Sequence, residues 1–386
     1  MQILTAHNYY QIRGGEDESY TAEKKLLQTM GHQVEAYEEH NDRISSLSSL
    51  QLAQTSIWSS EVYHHLKQQF QATKYDLVHV QNFFPLISPS LYYAAKEAGI
   101  PVVQTLRNYR LLCPNALFFR NGKVCEDCIG QFVPISGIIH GCYRESQLAT
   151  AGVAAMLSVH RGLQTWTKMV DAYITLTEFA KQKLVQGGLP AAKIQVKPNF
   201  LSPDPGMGTG SGGYALYVGR LSVEKGVDTL LEAWKGLAGH IPLKIIGDGP
   251  LAESVHLAAA QMPQVEVLGR LPPSQVYELM GEAMMVIFPS KWYETFGRVA
   301  VEAFAKGTPV IGANIGAIAE LIDHRRTGLL FEPGNDEDLM TQVEWLLDRS
   351  QTWQEMRQHA RLEYETKYTA EVNYQQMMEI YHSVCS

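Results

Sequence analysis

Leu201 to Gly213 reads LSPDPGMGTGSGG. Pro and Gly supply seven of its thirteen residues. With no apolar period, the stretch reads as a linker. On its N-terminal side, strands are expected at Met1 to Ala6, Tyr75 to Val80, Ile100 to Thr105, Ala172 to Leu176 and Ile194 to Lys197. A polar loop with Gly14-Gly15 follows the first strand and leads into a helix ending near Met30, and Gly31-His32-Gln33-Val34 reads as a helix stop running into another strand. Longer helices are expected from Leu148 to Met169 and over 178–187. Beyond the linker the alternation restarts. Strands are expected at Tyr214 to Val218, Leu243 to Ile246, Val265 to Leu268, Met285 to Phe288 and Pro309 to Gly312. Helices are expected over 223–236, from Ser274, over 296–306 and 316–322, and from Asp336 onward. Strands alternating with helices indicate α/β architecture with doubly wound parallel sheets. Two such domains facing across a cleft would place ligands at the carboxyl ends of their strands.

Length and charge agree. A chain of 386 residues suggests two domains. Its net charge of -8 does not suit a general nucleic-acid binder, which must neutralise phosphates. The charge is uneven: residues 1–200 hold 18 basic and 16 acidic side chains, the remaining 186 hold 14 and 24. This fits two domains with different partners. No apolar run reaches the ~18 residues of a membrane span. The start, MQILTAHNYYQ, lacks the charged and apolar regions of a signal peptide. Five cysteines, an odd number without such a signal, fit a reducing cytoplasmic setting.

Three stretches carry candidate chemistry. In Gly219-Arg-Leu-Ser-Val-Glu-Lys-Gly226, Ser222 is a suitable helix N-cap, which would put Lys225 in the first turn. A cation there opposes the helix dipole by about 0.3–1 kcal/mol. Arg220 stands at the same strand end, so a bound anion would explain both charges, the alternative being a tolerated surface lysine. In Ser290-Lys-Trp-Tyr-Glu294-Thr295-Phe296-Gly297-Arg298-Val-Ala-Val-Glu302, Thr295 can cap the next helix. The N–H groups of Phe296, Gly297 and Arg298 would then face an anion. Glu302, in an apolar helix, needs a partner. Two adjacent hydroxyls of a ribose would serve, as would Arg298 one turn earlier. Gly14-Gly15 would let backbone approach a ligand closely.

Other patterns are weaker. Gly247-Asp-Gly249-Pro-Leu-Ala252 fits a dinucleotide fingerprint, with Glu266 placed as a ribose acid, but its strand is not the first of its domain. Asp336-Glu-Asp338 resembles a metal-binding D-x-D and is better explained by helix capping. The segment 110–145 breaks the α/β rhythm and holds Cys113, Cys125, Cys128 and Cys142. They are candidates for a structural zinc site, against unmetallated thiols or a redox pair.

The ordered set GRLSVEKG, LKIIGDGPL, VEVLGRL, FPSKWYETFGRVAVEAFAKGTPVIG and TGLLFEPGNDEDL, with Glu294 and Glu302 as an E-x7-E pair, resembles family 4 glycosyltransferases, retaining enzymes of GT-B fold. Within that family, a cysteine-bearing insert marks the subset it looks most like. The resemblance implies an N-terminal acceptor-side domain over 1–200 with the insert at 110–145 and the linker at 201–213. It implies a donor domain over 214–365 and a helix over 366–386 crossing back to the N-terminal domain. It implies that Arg220 and Lys225 bind the donor diphosphate and that Glu302 binds the ribose. Glu294, Thr295, and the N–H groups of Phe296 and Gly297, with Val299 beside them, would hold the sugar. Gly269, Arg270 and Leu271 would meet the base, and Gly15 would close over the phosphates. Many members carry Leu-His-Asp-Tyr where this chain has Leu106-Arg107-Asn108-Tyr109, so Arg107 and Asn108 stand on the acceptor side in place of the family's His and Asp.

The implied reaction moves a hexosyl group, with retention, from a UDP- or GDP-sugar to a glycan, lipid or small-molecule acceptor in polysaccharide or glycoconjugate synthesis. No cofactor is required for catalysis and no nucleic acid is a partner. Peripheral contact with the inner face of the membrane is compatible with such an acceptor. A nucleotide-sugar epimerase of the same fold and an NAD-dependent oxidoreductase are the alternatives.

Overall fold

The computed structural model describes residues 1–12 and 14–385. Packing divides the chain into two units. The first holds Met1–Phe118, Glu126–Pro198 and the residues from Asn373 on; the second holds Phe119–Cys125 and Asn199–Val372.

In chain order, the first part contains β1 (Gln2–Tyr9), α1 (Gly15–Thr29), β2 (Gln33–His40), α2 (Ser49–Ile57), α3 (Ser60–Ala72), β3 (Leu77–Asn82), α4 (Ser90–Glu97) and β4 (Val102–Leu106). A short antiparallel hairpin follows, β5 (Phe119–Arg120) and β6 (Lys123–Val124), then α5 (Ile135–Ile139), α6 (Gln147–Gly162), α7 (Thr165–Lys168), β7 (Ala172–Thr175), α8 (Glu178–Gln186) and β8 (Ile194–Val196). The helix expected over 148–169 is thus two helices, broken where Gln164 takes a left-handed φ of 57°. The first unit's sheet is parallel, ordered β2-β1-β3-β4-β7-β8. Its strand order reverses between β1 and β3.

The second unit contains β9 (Ala215–Val218), α9 (Val227–Gly236), β10 (Leu243–Ile246), α10 (Ala252–Ala259), β11 (Val265–Gly269), α11 (Pro273–Glu282), β12 (Met285–Phe288), α12 (Arg298–Ala305), β13 (Val310–Ala313), α13 (Gly316–Leu321), β14 (Gly328–Phe331), α14 (Asp336–Leu347) and α15 (Ser350–Lys367). Its parallel sheet runs β11-β10-β9-β12-β13-β14 and reverses between β9 and β12. The apolar strands ALYV and MVIF are buried on both faces, as parallel strands covered by helices must be. Trp234 fills the core under α9 and donates its indole N–H to the Ile241 carbonyl at 3.1 Å. The last helix, α16 (Ala370–Cys385), packs from Asn373 onward with the first unit, where Asn373 accepts from Lys197 Nζ at 3.1 Å.

The stretch read as a linker is part of the second unit. Gly208, Gly210 and Gly212 donate their N–H groups to the carbonyls of Lys306, Gly281 and Glu282 at 3.0, 2.9 and 2.9 Å. A Cβ on Gly208 would stand 2.2 Å from Gly281 Cα. Gly208, Gly210 and Gly212 therefore serve close contact, while Gly206 and Gly213 take left-handed φ values of 70° and 67° with open space beside them.

Candidate active site

In open α/β sheets, ligands bind where the strand order reverses. In the second unit that point lies between the carboxyl ends of β9 and β12, where both motifs sit. Beyond β9, Leu221 donates its N–H to Asp248 O at 2.9 Å and is fully buried. The next turn corrects the sequence reading. Residues Val223–Lys225 form a single 3-10 turn, and α9 starts only after Gly226. Ser222 does not cap a helix; its hydroxyl donates to Glu224 Oε1 at 2.5 Å. Gly226 takes φ 68°, and a Cβ there would fall 1.9 Å from the Pro289 carbonyl. This contact presses the turn onto the loop leaving β12. Lys225 Nζ then reaches Glu294 Oε1 at 2.5 Å, over the rings of Trp292 and Phe288 at 5.4 and 5.8 Å.

Glu294 is buried. The same Oε1 accepts from Ser290 Oγ and Trp292 Nε1, each at 2.9 Å. Gly316 (φ 57°) backs this loop: a Cβ there would stand 3.1 Å from Tyr293 Cα. Ser290, Trp292, Gly226 and Gly316 were not singled out as functional from the sequence. The signal for Gly226 was a glycine closing a strand-to-helix loop.

Thr295 is not the cap of α12. The helix starts at Arg298 with Gly297 at the cap position, where a Cβ would strike Ile318 and Leu321 at 2.7 Å. Phe296 is buried against the Tyr368 ring at 6.1 Å, and Val299 lies in the first turn of α12, half-buried. Ala300 N–H already donates to Gly297 O at 2.9 Å, so the donors that the start of α12 can offer a ligand are the N–H groups of Arg298 and Val299. Glu302 takes the alternative partner: Arg298 Nε donates to its Oε1 at 2.9 Å, and Tyr277 OH lies at 3.4 Å. Burial pushes the Glu302 carboxyl above its ordinary value, with Arg298 opposing.

The remaining donor-side residues are more dispersed. Arg220 is exposed at the end of β9. Gly269, Arg270 and Leu271 stand at the exit of the edge strand β11, two strands from β9. There Gly269 O accepts from Gly247 N at 2.9 Å, and Arg270 is exposed. The Gly247-Asp-Gly249 pattern is accounted for by packing: a Cβ on Gly247 would lie 1.8 Å from Gly219 O, and one on Gly249 2.5 Å from Leu221 O. Asp336 and Asp338 open α14, capped by Asn335, whose side chain accepts from Asp338 N at 3.0 Å.

In the first unit, Gly15 opens α1. Asp17 holds the preceding Gly14 N–H at 3.1 Å and is itself held by His7 Nε2 at 2.8 Å. A side chain on either glycine would meet open space, so neither is demanded by packing. Arg107 lines a small pocket at the carboxyl ends of β3 and β4. It is buried, with Nη2 3.0 Å from Glu23 Oε2 and Nη1 donating to Gln81 Oε1. Asn108 Nδ2 donates to Glu16 Oε1 at 3.1 Å, and Tyr10 OH to Glu16 Oε2 at 3.2 Å. Cys113, Cys125, Cys128 and Cys142 are in no disulfide, and among the described residues no three His, Cys, Asp or Glu side chains gather to hold a metal ion.

Residues 27–199 match the model of a glycosyl transferase 4-like domain, and residues 210–363 match that of glycosyl transferases group 1. An uncharacterized glycosyltransferase of Methanocaldococcus jannaschii is 32% identical over 140 residues, 36% of this chain and 39% of that protein. The sulfoquinovosyl transferase of Arabidopsis thaliana is 28% identical over 219 residues, 55% of this chain and 38% of its own length. The chain thus aligns with less than half of the length of either relative. The crystal structure of HepE from Anabaena in complex with UDP-glucose superposes with a TM-score of 0.70 at 19% identity, covering 99% of this chain and all of that one. The chain thus carries a glycosyl transferase 4-like domain followed by a glycosyl transferases group 1 domain, on the GT-B fold. Among the described residues, no helix is long and apolar enough to cross a membrane.

Proposed function

We propose that this protein transfers a hexosyl group from a nucleoside-diphosphate sugar to an acceptor, with the anomeric configuration retained. The observation that carries the reading is the Lys225–Glu294 contact at the point where the second sheet reverses. It sets a cation and a buried carboxylate side by side where a diphosphate and its sugar would meet. The UDP-glucose bound by HepE supports a uridine donor.

Lys225 has three N–H donors and uses one on Glu294, leaving others for phosphate oxygens. Arg220 adds a second cation, and the N–H groups of Arg298 and Val299 at the start of α12 add neutral donors. Glu302 receives the ribose hydroxyls, and Gly269, Arg270 and Leu271 meet the base. As the glycosidic C1–O bond breaks, its electron pair stays on the diphosphate, where Arg220 and Lys225 stabilise the charge. The acceptor oxygen bonds to C1 on the same face and gives its proton to the departing diphosphate. Glu294 faces the positive charge developing on the sugar. The acceptor belongs to the first unit, at the carboxyl ends of β3 and β4, in glycan or glycolipid synthesis.

Lys225→Ala tests the donor assignment. Losing a charged hydrogen bond is worth about 1.5–3 kcal/mol, so UDP should bind roughly ten- to hundredfold more weakly while uridine binding barely changes. Equal losses in calorimetry would make Lys225 a structural residue.

Glu302 gives a proton signature. Burial raises its carboxyl above the ordinary glutamate value, with Arg298 opposing. Hydrogen bonds from ribose hydroxyls favour the ionised form, so donor binding should release a proton and strengthen as pH rises across the ionisation of this raised carboxyl. Calorimetry with UDP-glucose in two buffers of different ionisation enthalpy reads this. The release should vanish in Glu302→Gln, and a release unchanged by the substitution would remove Glu302 from the ribose site.

A further inference from the structure

The outer face of the first unit built by α2, α5 and α6 is almost free of charge. Ile44 to Ser60, Cys128 to Tyr143 and Ser146 to His160 contain no Asp, Glu, Lys or Arg. Leu50, Phe132, Ile135, Ile139 and Leu148 each leave more than half of their surface exposed. Isolated exposed apolar residues need no explanation, but a concentration of them on packed neighbouring helices marks a binding surface.

A groove of about 450 Å³ runs along this face between α2 and α6. Leu50, Leu52, Ala53, Leu148 and Gly152 help line it. The helices meet at Gly152, where a Cβ would stand 3.4 Å from Ala53 Cβ, an ordinary contact. Phe84 lines the groove and also a small polar pocket at the carboxyl ends of β3 and β4, shared with Tyr10, Asn108 and Arg110. Charge is concentrated at this junction. The Arg110 guanidinium lies 4.6 Å from the Phe84 ring centre and 4.9 Å from that of Tyr143. Arg144 approaches the same Tyr143 ring at 5.5 Å. Among the described residues neither arginine has a carboxylate partner within ion-pair distance. Two such guanidinium groups around one ring, at the mouth of an uncharged groove, complement an anion attached to a hydrocarbon.

We infer that the groove holds the hydrocarbon chain of an amphiphilic acceptor whose phosphate lies against Arg110 and Arg144, its acceptor hydroxyl reaching the polar pocket beyond Phe84. The inference rests on the acceptor-side reading of the first unit and narrows the acceptor to an anionic lipid. The groove takes apolar carbon without sequence-like readout, and the arginines fix which end faces the pocket.

Dodecyl phosphate, kept below its micelle concentration, is the probe, with octyl phosphate and dodecanol as controls. Affinity should rise about three- to fourfold per added methylene between octyl and dodecyl phosphate. Leu50→Asp with Leu148→Asp should weaken dodecyl phosphate about tenfold or more. Arg144→Ala, an exposed change that leaves the packing intact, should weaken dodecyl phosphate but not dodecanol. UDP binding and UDP-glucose hydrolysis, followed in the same proteins, read the donor side separately. Intact donor binding with no dodecyl phosphate binding removes this inference alone, whereas absence of any nucleotide binding in the unaltered protein removes the transferase reading. Binding to phosphatidylglycerol vesicles without binding of the monomeric phosphate overturns the groove site in favour of a bilayer-docking face. A dimer dissociated by the paired Asp substitutions overturns it in favour of a second copy.

Discussion

Glu294→Gln is expected to lower kcat by about a hundredfold or more while donor affinity is nearly kept. The amide oxygen still accepts from Ser290 Oγ and Trp292 Nε1, which now lie 2.9 Å from the carboxylate, so the loop keeps its shape. What disappears is the negative charge. A carboxylate beside the sugar gains attraction chiefly as positive charge develops at C1, that is, in the transition state. Lys225, no longer ion-paired with Glu294, remains available to the diphosphate, so ground-state binding has no reason to fall. Glu302→Gln should behave in the opposite way, with KM raised and kcat less affected, because ribose contacts are made equally before and during transfer. Initial rates of transfer and hydrolysis, set beside calorimetric donor affinities, separate the two. A covalent role is a distinct case: Glu294→Ala would abolish turnover, and azide would restore it with an inverted product, which same-face attack does not give. The assignment collapses if Glu294→Gln leaves kcat unchanged and Glu302→Gln alone destroys it.

The architecture was legible because both sheets are built from short apolar strands separated by helices, and such strands admit little besides a covered parallel sheet. The glutamate pair was legible for a related reason: Glu302 stands in a helix whose other neighbours are Val, Ala and Phe, where a carboxylate has to be paired. What could not be read was local backbone geometry. Ser222 followed by Val-Glu-Lys looks like a capped helix start, but a 3-10 turn stands there, closed by Gly226 in a left-handed conformation so near the Pro289 carbonyl that no side chain would fit. The placement of Lys225 on Glu294 depends on that long-range contact, which no local pattern encodes. The glycines of Leu201 to Gly213 misled in the same manner, since close approach to Gly281 and flexibility require the same residue. Arg107 shows the converse. Its position after β4 suggested a ligand contact, yet its partners Glu23 and Gln81 come from α1 and β3, and the pairing exists only once the sheet is assembled.

That pairing carries the second large expectation. Glu23 is enclosed in the first unit with Lys197 Nζ 2.7 Å from one oxygen and Arg107 Nη2 3.0 Å from the other. Gln81 also donates to it at 2.9 Å, and His79 beside them is pushed down by burial to about 3 and stays neutral. Tyr381 of α16 bonds His79 Nδ1 at 2.6 Å, so the last helix is tied to the same cluster. Glu23→Ala would leave two buried cations without their carboxylate and should cost about 3–5 kcal/mol, read as a lower urea midpoint for the first unit. Replacing Glu23, Arg107 and Lys197 together by apolar residues of similar size should recover much of that loss, because the desolvation of all three charges then disappears. The pH dependence follows from the sign of the shift. Burial alone would raise the Glu23 carboxyl, but Lys197 and Arg107 outweigh it and hold the carboxyl well below its ordinary value. The ion pairs therefore contribute fully above the ordinary glutamate value of about 4.3, and their contribution is lost as pH falls toward the depressed one. The stability gap between the unaltered protein and Glu23→Gln should accordingly be widest near neutrality and shrink in acid. A gap that is small at pH 7, or that grows as the pH falls, would show that the cluster does not hold the first unit together.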